Sequence, residues 1–177
     1  MKRLFVALGL PEDVRRALAA LGGGVPGARW VPAENHHVTL RFIGEVDGGL
    51  FRDIQDLLAG VRGARFELTL RGVDHFGGDQ PRQIIARVVS NPALSQLRNS
   101  VEAALGRAGL PAEGRKFQPH VTLARLKGAP MDRLKAFEAH YNLFAAGPFA
   151  VTEFSLYSSY LSGEGAIYTA EATYPLG

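Results

Sequence analysis

The chain has 177 residues, 46% of them hydrophobic and 21% charged, with a formal net charge of +3 and no cysteine. That length suits one well-buried domain or two small fused lobes, and the absence of cysteine excludes disulfides, thiolate nucleophiles and Cys-ligated zinc. No apolar run approaches the ~20 residues of a membrane-spanning helix, and the small positive charge fits either a phosphate-bearing partner or a plain solvated surface.

Lys2 and Arg3 precede an apolar run at 4–8 that is too short for a signal-peptide core. It reads as a buried strand, and with no targeting segment the expected compartment is the cytoplasm. Pro11 opens a helix with Glu12 and Asp13 in its first turn and Val14, Leu18 and Leu21 at helical spacing. Gly22-Gly23-Gly24 closes it; without a following Lys-Ser/Thr this run is a loop and a poor phosphate cradle. Trp30-Val31-Pro32 leads into a strand that starts at His37 and stops at Gly44. Leu50, Ile54, Leu57, Leu58 and Val61 mark an amphipathic helix. Phe66, Leu68 and Leu70 alternate with polar residues as a strand, and 74–81, with Gly77-Gly78, reads as a turn.

The order then repeats. A largely apolar strand at 84–89 precedes a helix capped by Asn91, with Pro92 first and Leu94, Leu97, Val101 and Leu105 on its buried stripe up to Gly109. Phe117-Gln118-Pro119 leads into a strand from His120, as Trp30 and Pro32 led into the first. A helix with Met131, Leu134, Phe137 and Tyr141 follows, then strands over 149–157 and 166–174. Each half reads strand, helix, His-strand, helix, strand, which predicts two lobes about a pseudo-twofold axis sharing a cleft.

The two halves share the words His37-Val38-Thr39-Leu40 and His120-Val121-Thr122-Leu123. Alternate strand residues share a face, so His37 with Thr39, and His120 with Thr122, lie opposite the apolar Val and Leu. If the axis passes between the His-strands, the two histidines face each other. Two imidazoles, one accepting and one donating a proton, suit phosphodiester cleavage by general acid-base catalysis, each worth ~10²–10⁴-fold. The threonine hydroxyls can hold phosphate oxygens, and an arginine can neutralise them. Arg41, four residues past His37, falls on the same face; Arg125, five past His120, falls nominally on the opposite face unless the strand twists or ends first.

A lone His-Val-Thr-Leu means little, and it is the duplication that points to chemistry. Zinc is the competing use of two histidines, but no carboxylate stands at an obvious ligand spacing, so neither metal nor cofactor is expected. His36, adjacent to His37, must point to the other face, toward packing or loop solvent; His75, in the turn region, and His140, near a helix end, read as surface residues. Trp30, Phe42, Phe76, Phe117 and Tyr157 read mostly as core, with one or two at the cleft rim able to stack on a nucleobase.

The segments His37-Val38-Thr39-Leu40-Arg41-Phe42-Ile43-Gly44-Glu45 and Phe117-Gln118-Pro119-His120-Val121-Thr122-Leu123-Ala124-Arg125 resemble the paired signatures of the 2H phosphoesterase superfamily. Within it they look like the RNA 2′,3′-cyclic phosphodiesterases, also called 2′-5′ RNA ligases, and the likeness covers most of the chain. The resemblance implies an α+β fold over 1–177, a single domain of two pseudo-symmetric lobes, with antiparallel sheets lining a central cleft and helices outside. It implies metal-independent hydrolysis of an RNA-terminal 2′,3′-cyclic phosphate to a 2′-phosphate. His120 corresponds to the general base, His37 to the general acid, and Thr39, Thr122 and Arg125 to the phosphate-binding positions. The expected partner is an RNA with such an end, or a related small phosphodiester, met by a monomer away from any membrane. Ligation through a 2′-5′ bond and a non-catalytic RNA-end binding module are the alternatives.

Overall fold

Strand β1 (Lys2–Gly9) shows no polar alternation because Leu4, Phe5, Val6, Ala7 and Leu8 are all buried, with a strand on either side of it. The computed structural model describes residues 1–177. The chain continues as α1 (Glu12–Ala19), β2 (Ala28–Trp30), a 3-10 turn (Ala33–Asn35), β3 (His37–Val46), α2 (Gly48–Leu58) and β4 (Phe66–Phe76). The second half is β5 (Gln83–Val88), α3 (Pro92–Arg107), β6 (His120–Leu126), α4 (Met131–His140), β7 (Ala145–Val151), β8 (Glu153–Ser162) and β9 (Gly165–Pro175). Asn91 caps α3 as its sequence implies, its side-chain oxygen accepting from the N–H groups of Ala93 and Leu94. No helix is long and apolar enough to cross a membrane.

The strands form two antiparallel sheets, ordered β3-β1-β8-β9 and β2-β6-β5-β4-β7. Leaving out the short β2, the two orders are equivalent under exchange of β3 with β6, β1 with β5, β8 with β4 and β9 with β7. The lobes are therefore not the two halves of the sequence. Strand β4, from the first half, pairs with β5, while β8, from the second, crosses back to β1. The strand expected over 149–157 is accordingly two strands, β7 in one sheet and β8 in the other, changing sheets at Thr152. Hydrophobic alternation runs through that crossing and gives no sign of it.

Three further expectations need correction. Gly44 does not end its strand; β3 continues to Val46, and Gly44, at φ 92°, sits at a register shift where Leu4 opposes Gly44 but Phe5 opposes Phe42. Residues 74–76 belong to β4, so the turn is confined to the segment before Gln83. Gly77, at φ 108°, is required there, since a Cβ would run into the Gln80 carbonyl and the Arg82 N–H. Finally, Trp30 does more than lead into β3. Its segment is the edge strand β2 beside β6, and its ring packs on Phe137 of α4 at 5.6 Å.

The symmetry extends to a bulge. Val6 and Ala7 oppose Arg41 and Thr39, leaving Leu40 as an extra residue; Ile84 and Ile85 oppose Ala124 and Thr122, leaving Leu123 extra. A bulge puts two residues opposite one and reverses the facing of everything beyond it. Leu40 and Arg41 are thus both buried, as are Leu123 and Ala124, while Phe42 and Arg125 emerge exposed. The Arg41 guanidinium is committed to protein partners. Its Nη1 donates to Glu102 Oε1 of α3 at 2.6 Å and its Nη2 to the Pro111 carbonyl at 2.6 Å. Arg125, which strict alternation would turn away, is returned to the cleft by the same device.

Removing one partner of a buried ion pair strands the other charge, at a cost of about 3–5 kcal/mol. Glu102→Ala is expected to lower the urea midpoint with an unchanged slope, corresponding to a loss of that order. Arg41→Met with Glu102→Leu should recover much of it. A single variant within about 0.5 kcal/mol of the parent would show that the pair does not hold the structure.

Candidate active site

The first residue of β3 and the first of β6 are the two repeated histidines. Each is fixed by the same local bond. His37 Nδ1–H donates to the Asn35 carbonyl at 2.7 Å, and His120 Nδ1–H to the Gln118 carbonyl at 2.7 Å. A carbonyl can only accept, so the proton stays on Nδ1 and Nε2 is left as the reactive nitrogen. Both rings are half-buried and line one cleft of about 750 Å³, within the range of ligand-sized sites. Thr39, Thr122 and Arg125 line it with them, so every residue that the motifs single out lies on one cavity.

The surroundings of the two rings differ. His37 lies against aromatic side chains, with Phe5 at 4.9 Å and the edge of Tyr168 at 5.3 Å, and Tyr157 stacks on the far side of Phe5 at 5.2 Å. His120 meets only Phe76, edge-on at 4.8 Å. Beside it, the Thr122 hydroxyl donates to Gln83 Oε1 at 3.2 Å, and Gln83 is the residue opposite Arg125 in the β5–β6 pairing. The positions five residues past each histidine break the symmetry most sharply. One is Phe42, 60% exposed at the cleft, and the other is Arg125.

Burial is the main influence on both imidazoles. It lowers His37 to about 4, against the opposing pull of the Asn35 carbonyl, and the positive charges of His120 and Arg125 push it the same way. Burial also lowers His120 below 6.5, with the Gln118 carbonyl again opposing. In the free protein both rings are thus neutral at neutral pH.

The segment leading into β6 is tied down by the Arg41–Glu102 pair. Besides the Pro111 carbonyl held by Arg41, the Glu113 N–H donates to Glu102 Oε2 at 3.3 Å. Arg41 lines the cleft, and with its guanidinium committed to Glu102 and Pro111 it also shapes it.

The other histidines stand apart. His36 is buried, 4% exposed, with burial lowering its pKa, as its place on the opposite face implies. His75 is not a free surface residue. Its Nδ1 faces Glu138 Oε1 of α4 at 3.1 Å and its Nε2 the Gly78 carbonyl at 3.0 Å. Burial works against its charge, but the Glu138 bond and the Gly78 carbonyl outweigh it and raise the pKa. Asp74, His75 and Glu138 are close enough to share a cation, yet both ring nitrogens face acceptors and so carry protons rather than free lone pairs. That set is an ion pair bracing the β4 end and the turn after it.

Sequence reading missed Gln83, Tyr168 and Asn35 altogether and placed Phe42 and Phe76 mainly in the core. Gln83 and Tyr168 carry no local signal, because Gln83 meets β6 through long-range strand pairing and Tyr168 meets His37 through long-range ring packing. Phe42 did have a signal, since it occupies in the first motif the position that Arg125 occupies in the second.

A family model described as the 2′-5′ RNA ligase superfamily matches residues 10–162. The chain is 38% identical over 148 residues to a protein of Aeropyrum pernix named RNA 2′,3′-cyclic phosphodiesterase, covering 82% of this chain and 84% of that one. It is 31% identical to the Escherichia coli protein of the same name, over 95% of this chain and 93% of its relative. The crystal structure of E. coli LigT complexed with 3′-AMP superposes with a TM-score of 0.80 at 28% identity, covering 99% and 98% of the two chains. With the duplicated motif, the two equivalent sheets and most of its length matched, this chain belongs to the 2′-5′ RNA ligase superfamily.

Proposed function

We propose that the cleft hydrolyses the 2′,3′-cyclic phosphate at an RNA end to a 2′-phosphate, with His120 as general base and His37 as general acid. The observation that carries this reading is the pair of Nδ1-anchored imidazoles on one cavity, each at the same register of an equivalent sheet. The names of the relatives agree with it.

In the proposed step His120 Nε2 takes a proton from water as the water oxygen bonds to phosphorus. The bond from phosphorus to O3′ breaks, and His37, which takes a proton from solvent on Nε2 as the substrate anion binds, delivers it to that oxygen. Thr39 and Thr122 donate to the non-bridging oxygens, and Arg125 neutralises the charge that gathers there. No metal has a role in this scheme. The leaving oxygen remains part of the ribose, so the nucleoside must lie on the side of the acid. The aromatic surroundings of His37, with Phe42 exposed at the cleft, suit a ribose and base there. The Arg125 side suits water and phosphate oxygens. This polarity supports the assignment of acid and base independently of the family likeness. Ligation is the same exchange with a ribose 5′-hydroxyl in place of water.

His37→Ala and His120→Ala are each expected to lower kcat by ~10²–10⁴-fold on an oligonucleotide ending in 2′,3′-cyclic phosphate, and Arg125→Ala by ~10²-fold. Excess EDTA should leave the parent rate unchanged. Full activity in either histidine variant, or a 3′-phosphate as the product, would sink the scheme; binding without turnover by the parent would favour the binding-module reading.

The pH dependence follows from the sign of the shifts. Both imidazoles lie below 6.5 in the free protein. Both limbs of kcat/KM, which reports the free enzyme, should therefore fall below pH 6.5. A bound phosphate anion favours imidazolium and raises these values, so the alkaline limb of kcat should lie at higher pH. Coincident alkaline limbs would show that the substrate does not reset the pair.

A further inference from the structure

The cleft holds more positive charge than one phosphodiester needs. A cyclic phosphate carries a single negative charge, which Arg125 can meet. Arg82, Arg98, Arg115 and Lys116 line the same cleft, against one carboxylate, Glu113. Over the whole chain 20 cations nearly balance 17 acids, so the excess is local to this face.

Three of these cations form one strip. Arg98 reaches from α3 over the Phe117 ring at 5.3 Å, and its Nε is buried without a hydrogen-bond partner. Arg115 and Lys116 are the exposed residues just before Phe117. The backbone just before them is held by the Arg41–Glu102 pair through Pro111 and Glu113. Arg115 gives its Nε to Glu113 at 3.4 Å, while its two terminal nitrogens remain for another acceptor. Phe42 and His37, beside which the nucleoside is proposed to lie, line the same cleft as this strip.

We propose that Arg98, Arg115 and Lys116 form a second anion subsite that takes the internucleotide phosphate on the 5′ side of the terminal nucleoside, making an RNA chain, rather than a free nucleoside cyclic phosphate, the preferred substrate. Guanidinium groups offer paired donors matched to phosphate oxygens, and the lysine adds a point charge. The inference rests on the hydrolase reading for the position of the terminal nucleoside, and its test separates the two.

The test compares two trinucleotides ending in 2′,3′-cyclic phosphate. One has ordinary linkages; the other has a neutral methylphosphonate at the linkage nearest the 3′ end. The parent protein is expected to show kcat/KM about tenfold higher on the charged one, the worth of one charge-assisted hydrogen bond. Arg115→Gln/Lys116→Gln, at exposed positions, and Arg98→Gln should each shrink that ratio. The double variant should also flatten the dependence of log Kd on log salt by about 0.7 for each phosphate charge no longer neutralised. Equal rates on the two trinucleotides with the parent, or an undiminished ratio in every variant, would overturn the subsite. Anisotropy with the same pair ending in 2′-phosphate reads the subsite without turnover. Preference for the charged ligand there, with no hydrolysis of either substrate, would reject the hydrolase reading and keep the subsite; equal affinities would reject the subsite alone.

Discussion

One extra residue in each His-strand decides what the cleft contains. With strict alternation Arg41 and Ala124 would face the cavity, and Phe42 and Arg125 would turn toward the core. The bulges at Leu40 and Leu123 reverse this after the histidine and threonine have been set. They do so without exposing the leucines, which are 3% and 2% exposed. Burying each leucine contributes about 1.5–3 kcal/mol. A register slip that corrected the parity without a bulge would expose Val and Leu in both motifs, a larger loss than a local break in the ladder. The irregularity is the cheaper way to place a histidine, a threonine and a residue five positions on along one face.

The same reversal drives Arg41 into the interior, where it becomes a strut. A buried guanidinium is tolerable only with its donors satisfied, and here Glu102, the Pro111 carbonyl and the Phe42 carbonyl take them. The result links β3 of one sheet to α3 and to the segment that feeds β6 of the other. The two histidines come from separate sheets, so some rigid element must fix their relative position. This network is a physical candidate for that coupling, since it touches the neighbour of Phe42 at one end and the approach to His120 at the other.

Much of this was legible in the chain. The duplicated His-Val-Thr-Leu, Asn91 with Pro92, and the unbroken apolar run of β1 each carry a local physical cause, and each forms the strand or helix start read from it. What failed was non-local. The crossing at Thr152 is invisible because a strand's alternation does not depend on which sheet it joins. The facing of Arg41 and Arg125 was misjudged because a bulge depends on the partner strand, and nothing in Leu40 or Leu123 announces it. The aromatic setting of His37 was hidden because Phe5, Tyr157 and Tyr168 lie on β1, β8 and β9, all far from His37 in sequence. Symmetry offered the missing clue. Once two motifs are taken as equivalent, a position holding Phe42 in one and Arg125 in the other must either share a face or share none.

The choice of a backbone carbonyl, and not a carboxylate, to orient each imidazole bears directly on how the site works. A carboxylate would fix the tautomer and also stabilise the imidazolium, keeping each ring charged before any substrate arrived. The Asn35 and Gln118 carbonyls fix the tautomer with a weaker pull on the proton, so burial prevails and both rings rest neutral. Two imidazolium rings sharing a small cleft with Arg125 would repel one another, and neutrality removes that strain from the free protein. The anion that enters then supplies the charge that makes one ring an acid. On this reasoning, the aromatic wall beside His37 lowers the proton affinity of the free site, and the phosphate restores it only where chemistry is to occur.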